Sequence, residues 1–260
     1  MATYLDRIVA GHREVATADD RPLDDLLAQA TGAPPARGFA AALRDRSAAG
    51  MAVISEIKRR SPSKGALHLD LDPVELARRY EAGGASALSV LTDVEHFGGS
   101  VSDLQAARSA VSLPVLRKDF TVCERDVLDA RIMGADAVLL IAAALDPDEL
   151  IRYHRLAVEV GLDVLVEIHD EAELEVAMRA GATVVGVNQR DLVTFEVDHA
   201  RAERVAAAIP STVVRVAESG IRDAADAKAL REAGYDAVLV GETLVRSVDP
   251  TATVRELRDV

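Results

Sequence analysis

Lysine and glutamate recur in this chain at two-residue spacing, inside runs that are otherwise aliphatic. The sets are Ile54, Glu56 and Lys58; Leu116, Lys118 and Phe120; Leu165, Glu167 and His169; and Gly186, Asn188 and Arg190. Residues two apart along an extended strand share a face. Each set therefore presents an apolar residue first and turns polar or ionic toward its C-terminal end. Lysine and glutamate can give and accept protons, and burying them is costly unless they are used or paired. A shared reaction site is one reading, and a collection of structural ion pairs or rim charges is the other. The agreement in phase and in strand end across several runs favours the site.

Short β-branched runs and amphipathic segments alternate from Met51 onward, as expected of repeated βα units. Eight runs are candidate strands: Ala52–Lys58, Ala87–Thr92, Pro114–Phe120, Ala137–Ala142, Val164–His169, Val184–Arg190, Val213–Ser219 and Ala237–Glu242. Most are apolar at consecutive positions, which suits parallel strands covered on both faces. Asp72, Asp146 and Asp170 stand where helix N-caps are expected, and glycines in EAGGASAL, IMGADAVL, EVGLDVLV, RAGATVVG and EAGYDAVL stop the preceding helices. Eight strands with eight helices predict a single (β/α)8 TIM barrel, an α/β fold, with an open doubly wound sheet as the alternative. In the barrel, an inward apolar phase brings Glu56, Lys58, Lys118, Glu167, Asn188 and Arg190 together at the C-terminal mouth. Residues 1–46 do not fit the repeat and read as an N-terminal helical extension packed on the barrel, leaving 47–260 as the catalytic barrel domain.

Two further motifs concern anions. The seventh run ends in Glu218-Ser219-Gly220-Ile221 and the eighth in Gly241-Glu242-Thr243, each leading into a helix start with free N–H groups. Glycine at a single βα turn is commonly a steric necessity. As a pair, after strands seven and eight of a barrel, the two turns predict a phosphate site.

Composition narrows the classes. The 260 residues are 49% hydrophobic with no Trp and 3% aromatics, enough for a large aliphatic core. A formal net charge of −13 without any basic run argues against a nucleic-acid partner. The lone Cys123 excludes an internal disulfide and reads as a small, half-buried side chain. Neither a signal peptide nor a membrane span is expected, so the protein is read as soluble and cytoplasmic. His96, His154 and His169 are far apart and on different units, so no metal site is expected, and His12, His68 and His199 read as solvated surface residues.

The residues that would do the chemistry also carry a resemblance. Val53-Ile54-Ser55-Glu56-Ile57-Lys58-Arg59-Arg60-Ser61-Pro62-Ser63 resembles the signature of the indole-3-glycerol phosphate synthases, a family of tryptophan biosynthesis. SVLTDVEHFGGS, PVLRKDF, LVEIHD, VGVNQRDLVTFEVD, VAESGI and VGETL resemble its remaining landmarks, in order and near the expected strand ends. The likeness spans essentially the whole chain. It implies conversion of 1-(2-carboxyphenylamino)-1-deoxyribulose 5-phosphate to indole-3-glycerol phosphate, with loss of carbon dioxide and water and with no metal or organic cofactor.

On that resemblance Lys118 is the general acid at the substrate ketone, suited to the task if burial or neighbouring cations lower its pKa. Glu167 is the base for dehydration, and Lys58 contacts phosphate and assists as an acid. Glu56 and Glu218 orient the site, Asn188 contacts the substrate, and Arg190 and Ser61 lie near its carboxylate. Ser219, Gly220 and Gly241 match the phosphate cradle, with Glu242 adjacent. Phe97, Phe120, Leu192 and Phe195 are candidates for an apolar slot holding the anthranilate ring, or for simple core.

Three places depart from the family pattern: His96-Phe97 where two aromatics are common, Gln189 where Asn or Ser is common, and Thr121-Val122-Cys123-Glu124-Arg125-Asp126 after Phe120. Gln189 lies on the opposite strand phase and is expected to matter little. A sugar-phosphate isomerase of the same barrel type, such as a phosphoribosylanthranilate isomerase, and a non-catalytic phosphate-ligand binding barrel are the alternative functions. The isomerase would not require Glu and Lys two apart on the first strand together with Lys on the third, and the binding barrel would have no need to keep both lysines.

Overall fold

The computed structural model describes residues 3–62, 64–190 and 197–260. Eight parallel strands close into a barrel in sequential order: β1 (Ala52–Ile57), β2 (Ala87–Leu91), β3 (Val115–Lys118), β4 (Ala137–Ile141), β5 (Asp163–Ile168), β6 (Val184–Asn188), β7 (Val214–Glu218) and β8 (Ala237–Val240). Closure is made by β1, which pairs with β2 through Ile54 and Ala87 and with β8 through Ala52 and Ala237. This pairing eliminates the open-sheet alternative. The expected strands start within one residue of the observed ones and run one or two residues too far at their C-terminal ends. Most of those extra residues are polar, among them Lys58, Arg190, Ser219 and Glu242, and they lie just beyond the strands at the mouth.

The two phases of each strand lie in two separate apolar layers. Ile54, Leu116, Leu139, Leu165, Val216 and Leu239 fill the barrel interior, whereas Val53, Val115, Val138, Val164, Val185 and Val238 pack outward under the helices. The first layer carries the phase of Glu56, Lys118 and Glu167, so the inward direction expected from the alternation is the observed one. Helices α4 (Pro73–Gly83), α5 (Val101–Ala110), α6 (Glu124–Ile132), α7 (Pro147–Glu159), α8 (Glu171–Ala180), α9 (His199–Ala206), α10 (Ala224–Glu232), α11 (Glu242–Arg246) and α12 (Pro250–Arg258) follow the strands. Asp72, Asp146 and Asp170 cap α4, α7 and α8 by accepting first-turn backbone N–H groups, as their placement in the sequence predicts.

The chain before the barrel spreads over three different surfaces. Helix α3 (Phe39–Ser47) drives Phe39 and Leu43 into the interior layer at the N-terminal end of the strands, where the Ala40 N–H donates to Asp163. Helix α2 (Leu23–Gly32) lies along α6. Helix α1 (Tyr4–Ala18) crosses to the opposite end, with Arg13 reaching Glu149 at 2.7 Å and the carbonyl of Ala144. One end of the barrel is therefore plugged by α3, and α1 leans over the other.

Candidate active site

The C-terminal ends of β1, β3, β5, β6 and β7 bring five polar side chains into one buried cluster. Nζ of Lys118 donates to Oε2 of Glu167 at 3.1 Å and lies 3.6 Å from Oε2 of Glu218. Asn188 holds the other oxygen of Glu167 through Nδ2 at 3.0 Å. Glu56 pairs with Lys58 and accepts from the Ser89 hydroxyl at 3.4 Å. Room for this crowding comes from two glycines on the inward phase. A methyl at Gly186 would strike Oε1 of Glu218, and one at Gly241 would strike Oε1 of Glu56 and come within 3.1 Å of Nζ of Lys58.

Electrostatics separate the roles of these groups. Burial disfavours the Lys118 ammonium, but Glu167, Glu218 and Glu56 outweigh it, and the pKa is raised from its ordinary value. The condition set for Lys118 from the sequence, a pKa lowered by burial or neighbouring cations, is therefore not met: carboxylates surround it, not cations. Burial also opposes the Glu167 carboxylate, yet Lys118, His169 and the Asn188 hydrogen bond hold its pKa below the ordinary value. Glu218 goes the other way. Burial, reinforced by Glu167 and Glu56 and only partly offset by Lys118, pushes its carboxyl up to about 8. Its Oε1 is buried with no hydrogen-bond partner. Two adjacent carboxyl groups with pKa values driven apart are a usual mark of divided acid and base duties.

A cavity of about 720 Å³ opens above the cluster. Glu56, Lys58, Lys118, Glu167, Asn188 and Glu218 line it, together with Ser61, Arg190, Ser219, Gly220, Gly241, Glu242, Phe97 and Phe120. Every expected site residue among the described ones is therefore on its wall. Leu192 and Phe195 lie outside the described residues. The rings of Phe97 and Phe120 meet at 6.2 Å, tilted by 42°, and form an apolar wall beside Lys118. At the β7 and β8 side, Ser219 and Gly220 both have positive φ, 68° and 76°. Ser219 is the only non-glycine residue in that region among those described, a costly conformation that turns successive backbone N–H groups to one side. Thr243 ties the two turns together by donating to the carbonyl of Ile221 at 2.7 Å.

Several wall residues were not expected from the sequence. Tyr4, Leu5 and Ile8 of α1 close one side, while Lys64, Arg222 and Arg246 add positive charge. The spacing of Leu5 and Ile8 marks an apolar stripe but does not say what the stripe covers. Arg222 and Arg246 follow the two glycine turns closely in sequence, and that nearness was the available signal. Gln189 also departs from expectation: it is fully buried, and its Nε2 donates to the carbonyl of Ser219 at 2.8 Å. His169, on the inward phase, pairs through Nδ1 with Glu173 at 3.1 Å while its Nε2 stays 4.0 Å from Oε1 of Glu167.

His12 is the clearest correction among the histidines. It is half-buried against Asp93 and Phe120, because α1 folds back over the mouth. His68 is exposed as expected, and the side chain of His199 lies outside the described residues. The Thr121–Asp126 segment leads into α6 through the N-cap position Cys123, and Asp126 in the first turn accepts from the N–H groups of Val122 and Cys123. Cys123 is half-buried, as read, and burial pushes its thiol up to about 11.

Comparison with known proteins agrees with this geometry. The chain is similar to a 3-hexulose-6-phosphate synthase (TM-score 0.61, 18% identity, covering 80% of this chain and 98% of that one). It is also similar to a thiamine phosphate pyrophosphorylase from Pyrococcus furiosus (TM-score 0.59, 17% identity, covering 82% and 95%). At these identities the likeness concerns the barrel fold alone. Sequence relatives are much nearer. "Indole-3-glycerol phosphate synthase 2" of Streptomyces coelicolor is 54% identical over 89% of each chain. The "Indole-3-glycerol phosphate synthase" of Mycolicibacterium smegmatis is 49% identical over 98% of this chain and 94% of its own. The family model described as indole-3-glycerol phosphate synthase matches residues 5–257. With that match spanning the barrel and α1 alike, the chain belongs to the indole-3-glycerol phosphate synthase family.

Proposed function

We propose that the cavity converts 1-(2-carboxyphenylamino)-1-deoxyribulose 5-phosphate to indole-3-glycerol phosphate, the carboxy-lyase reaction of the family. The observation that carries the mechanism is the Lys118 ammonium, held by Glu167 and Glu218 at the floor of the cavity between an aromatic wall and a glycine-lined anion cradle. The substrate phosphate sits against the backbone of Ser219, Gly220 and Gly241 near Lys58, beside Glu242, with Arg222 and Arg246 adding attraction. The anthranilate ring lies on Phe97 and Phe120, and Arg190 and Ser61 face its carboxylate.

Attack of the ring carbon on the ketone generates an alkoxide far more basic than an amine. A lysine kept charged by its neighbours therefore still donates its proton downhill. Loss of carbon dioxide restores the aromatic ring. Glu167, held ionised, takes the proton released as the hydroxyl leaves, and Lys58 assists departure as an acid. Asn188 fixes the orientation of Glu167, while Glu56 holds Lys58 in place. Glu218 sets the charge balance around Lys118.

We further propose that residues 1–46 act as a helical extension of one catalytic barrel, 47–260. The protein is read as a cytoplasmic enzyme for an anionic sugar phosphate, without nucleic-acid or membrane partners. The net charge of −13 argues against a nucleic-acid partner, and no helix among the described residues is long and apolar enough to cross a membrane.

The test is growth of indole fluorescence when purified protein meets the carboxyphenylamino deoxyribulose phosphate, with chelator present and beside Lys118→Ala. Chelator-resistant product from the wild type and a fall of about 10²–10⁴ in kcat for the variant are expected for loss of a general acid. Folded wild type that makes no indole would overturn the proposal.

A further inference from the structure

Outside the reaction site, α1 and the loop after β2 bring two imidazoles onto one carboxylate. Nε2 of His12 and Nδ1 of His96 each lie 3.1 Å from Oδ2 of Asp93, and the three atoms fall within 4.8 Å of one another. A tetrahedral ion with bonds of about 2.0–2.1 Å spaces its donor atoms about 3.3 Å apart. Two of the three separations are already close to that value. The proposed reaction uses neither imidazole, and none of the three residues lines the cavity.

The surroundings fit a metal as well. Asp93 is nearly buried, and its other oxygen is occupied by the backbone N–H groups of His96 at 2.6 Å and Phe97 at 3.0 Å. Those bonds fix the carboxylate and leave Oδ2 for the imidazoles, as outer-shell contacts do for ligands of a bound ion. The His12 ring packs on Phe120 at 5.2 Å, and Tyr4 stands edge-on to His96 at 6.2 Å. Oδ1 of Asp119 lies 4.0 Å from Nε2 of His12, placed to complete the set directly or through water.

We propose that His12, Asp93 and His96 form a structural site for a divalent transition ion of the zinc type, one that pins α1 to the barrel mouth. Two nitrogens and one oxygen suit zinc, cobalt or nickel, whereas magnesium and calcium prefer oxygen alone. The ion does no chemistry on the substrate. It holds the helix whose Tyr4, Leu5 and Ile8 form one cavity wall against the loop that carries Phe97.

The test uses the metal alone on full-length, metal-stripped protein. Cobalt titration at neutral pH is expected to give one tight equivalent with the intense visible bands of a four-coordinate site, and zinc is expected to displace it and raise Tm. His12→Gln and His96→Gln should each weaken cobalt binding by more than about 100-fold, beyond the 10–100-fold typical of losing an outer-shell partner. His68→Gln should leave it unchanged. If a variant fails to fold, paramagnetic cobalt broadening of the His12 and His96 imidazole resonances in the wild type, with His68 unaffected, supports the site. Weak six-coordinate spectra, equal affinity in His12→Gln, or broadening centred on other histidines would overturn it. Indole formation is expected to persist in chelator, so failure of this site is distinguishable from failure of the catalytic reading.

Discussion

Glu218 and Lys118 face each other across the barrel mouth with 3.6 Å between Oε2 and Nζ, yet the nearby ammonium does not keep Glu218 ionised. Burial and the charges of Glu167 and Glu56 prevail, because Lys118 is already shared with Glu167 at 3.1 Å. Lys118 thus sits beside one committed carboxylate, Glu167, and one carboxyl, Glu218, that retains its proton at neutral pH.

This raised value links stability to pH. Below pH 4.5, the ordinary value, Glu218 is protonated whether the chain is folded or not; between there and about 8 only the folded state holds the proton. Protonation therefore favours folding at the acidic end of that window, and the advantage declines until the curve levels above about 8. Glu218→Gln, which keeps the neutral shape, should remove the decline. Measured by thermal unfolding, the variant's Tm relative to wild type should rise between about pH 5 and pH 8. A constant difference across that range would show that Glu218 titrates normally.

Gly241→Ala tests packing against chemistry. The added methyl meets the ends of two flexible side chains, Glu56 and Lys58, and not backbone. Both can swing aside, so the stability loss should stay within about 1 kcal/mol. Their displacement disturbs the cradle and the Glu56–Lys58 pair, and misplacement by about 1 Å can cost 10²-fold in rate. Indole kinetics should show kcat/KM lowered by at least about tenfold beside a nearly unchanged melting curve. A variant that loses stability and retains activity would contradict this assignment.

Gln189→Ala should act on binding. Removal of the amide leaves the buried side of the Ser219 carbonyl without its donor, at a cost of about 1–3 kcal/mol. It also frees a turn whose residues sit at positive φ. KM for the sugar phosphate is expected to rise about tenfold, with kcat changed much less, as for loss of uniform binding. Steady-state kinetics separates the two, and a fall in kcat at constant KM would assign Gln189 to the reaction itself.

What could be read from the chain alone follows local periodicity. Alternation along each strand put Ile54, Glu56, Leu116, Lys118, Leu165 and Glu167 on one face, and capping aspartates marked where helices begin. These signals are local because backbone geometry repeats every two or 3.6 residues. The resemblance carried the chemistry further, to an assignment of roles. Long-range arrangement escaped both. That Glu167, Glu218 and Glu56 would outvote burial at Lys118 depends on distances set by barrel closure. That α1 would carry Tyr4, Leu5 and Ile8 to the cavity, and His12 to Asp93 and His96, depends on where a helix outside the repeat docks. The strand pattern of Gln189 pointed away from the site, and only the fold showed its amide reaching Ser219 from behind. Residue types and phase were decided by the sequence by itself; ionisation and cross-helix contacts were decided by tertiary packing, because electrostatic energy and donor geometry depend on separation in space and not on separation along the chain.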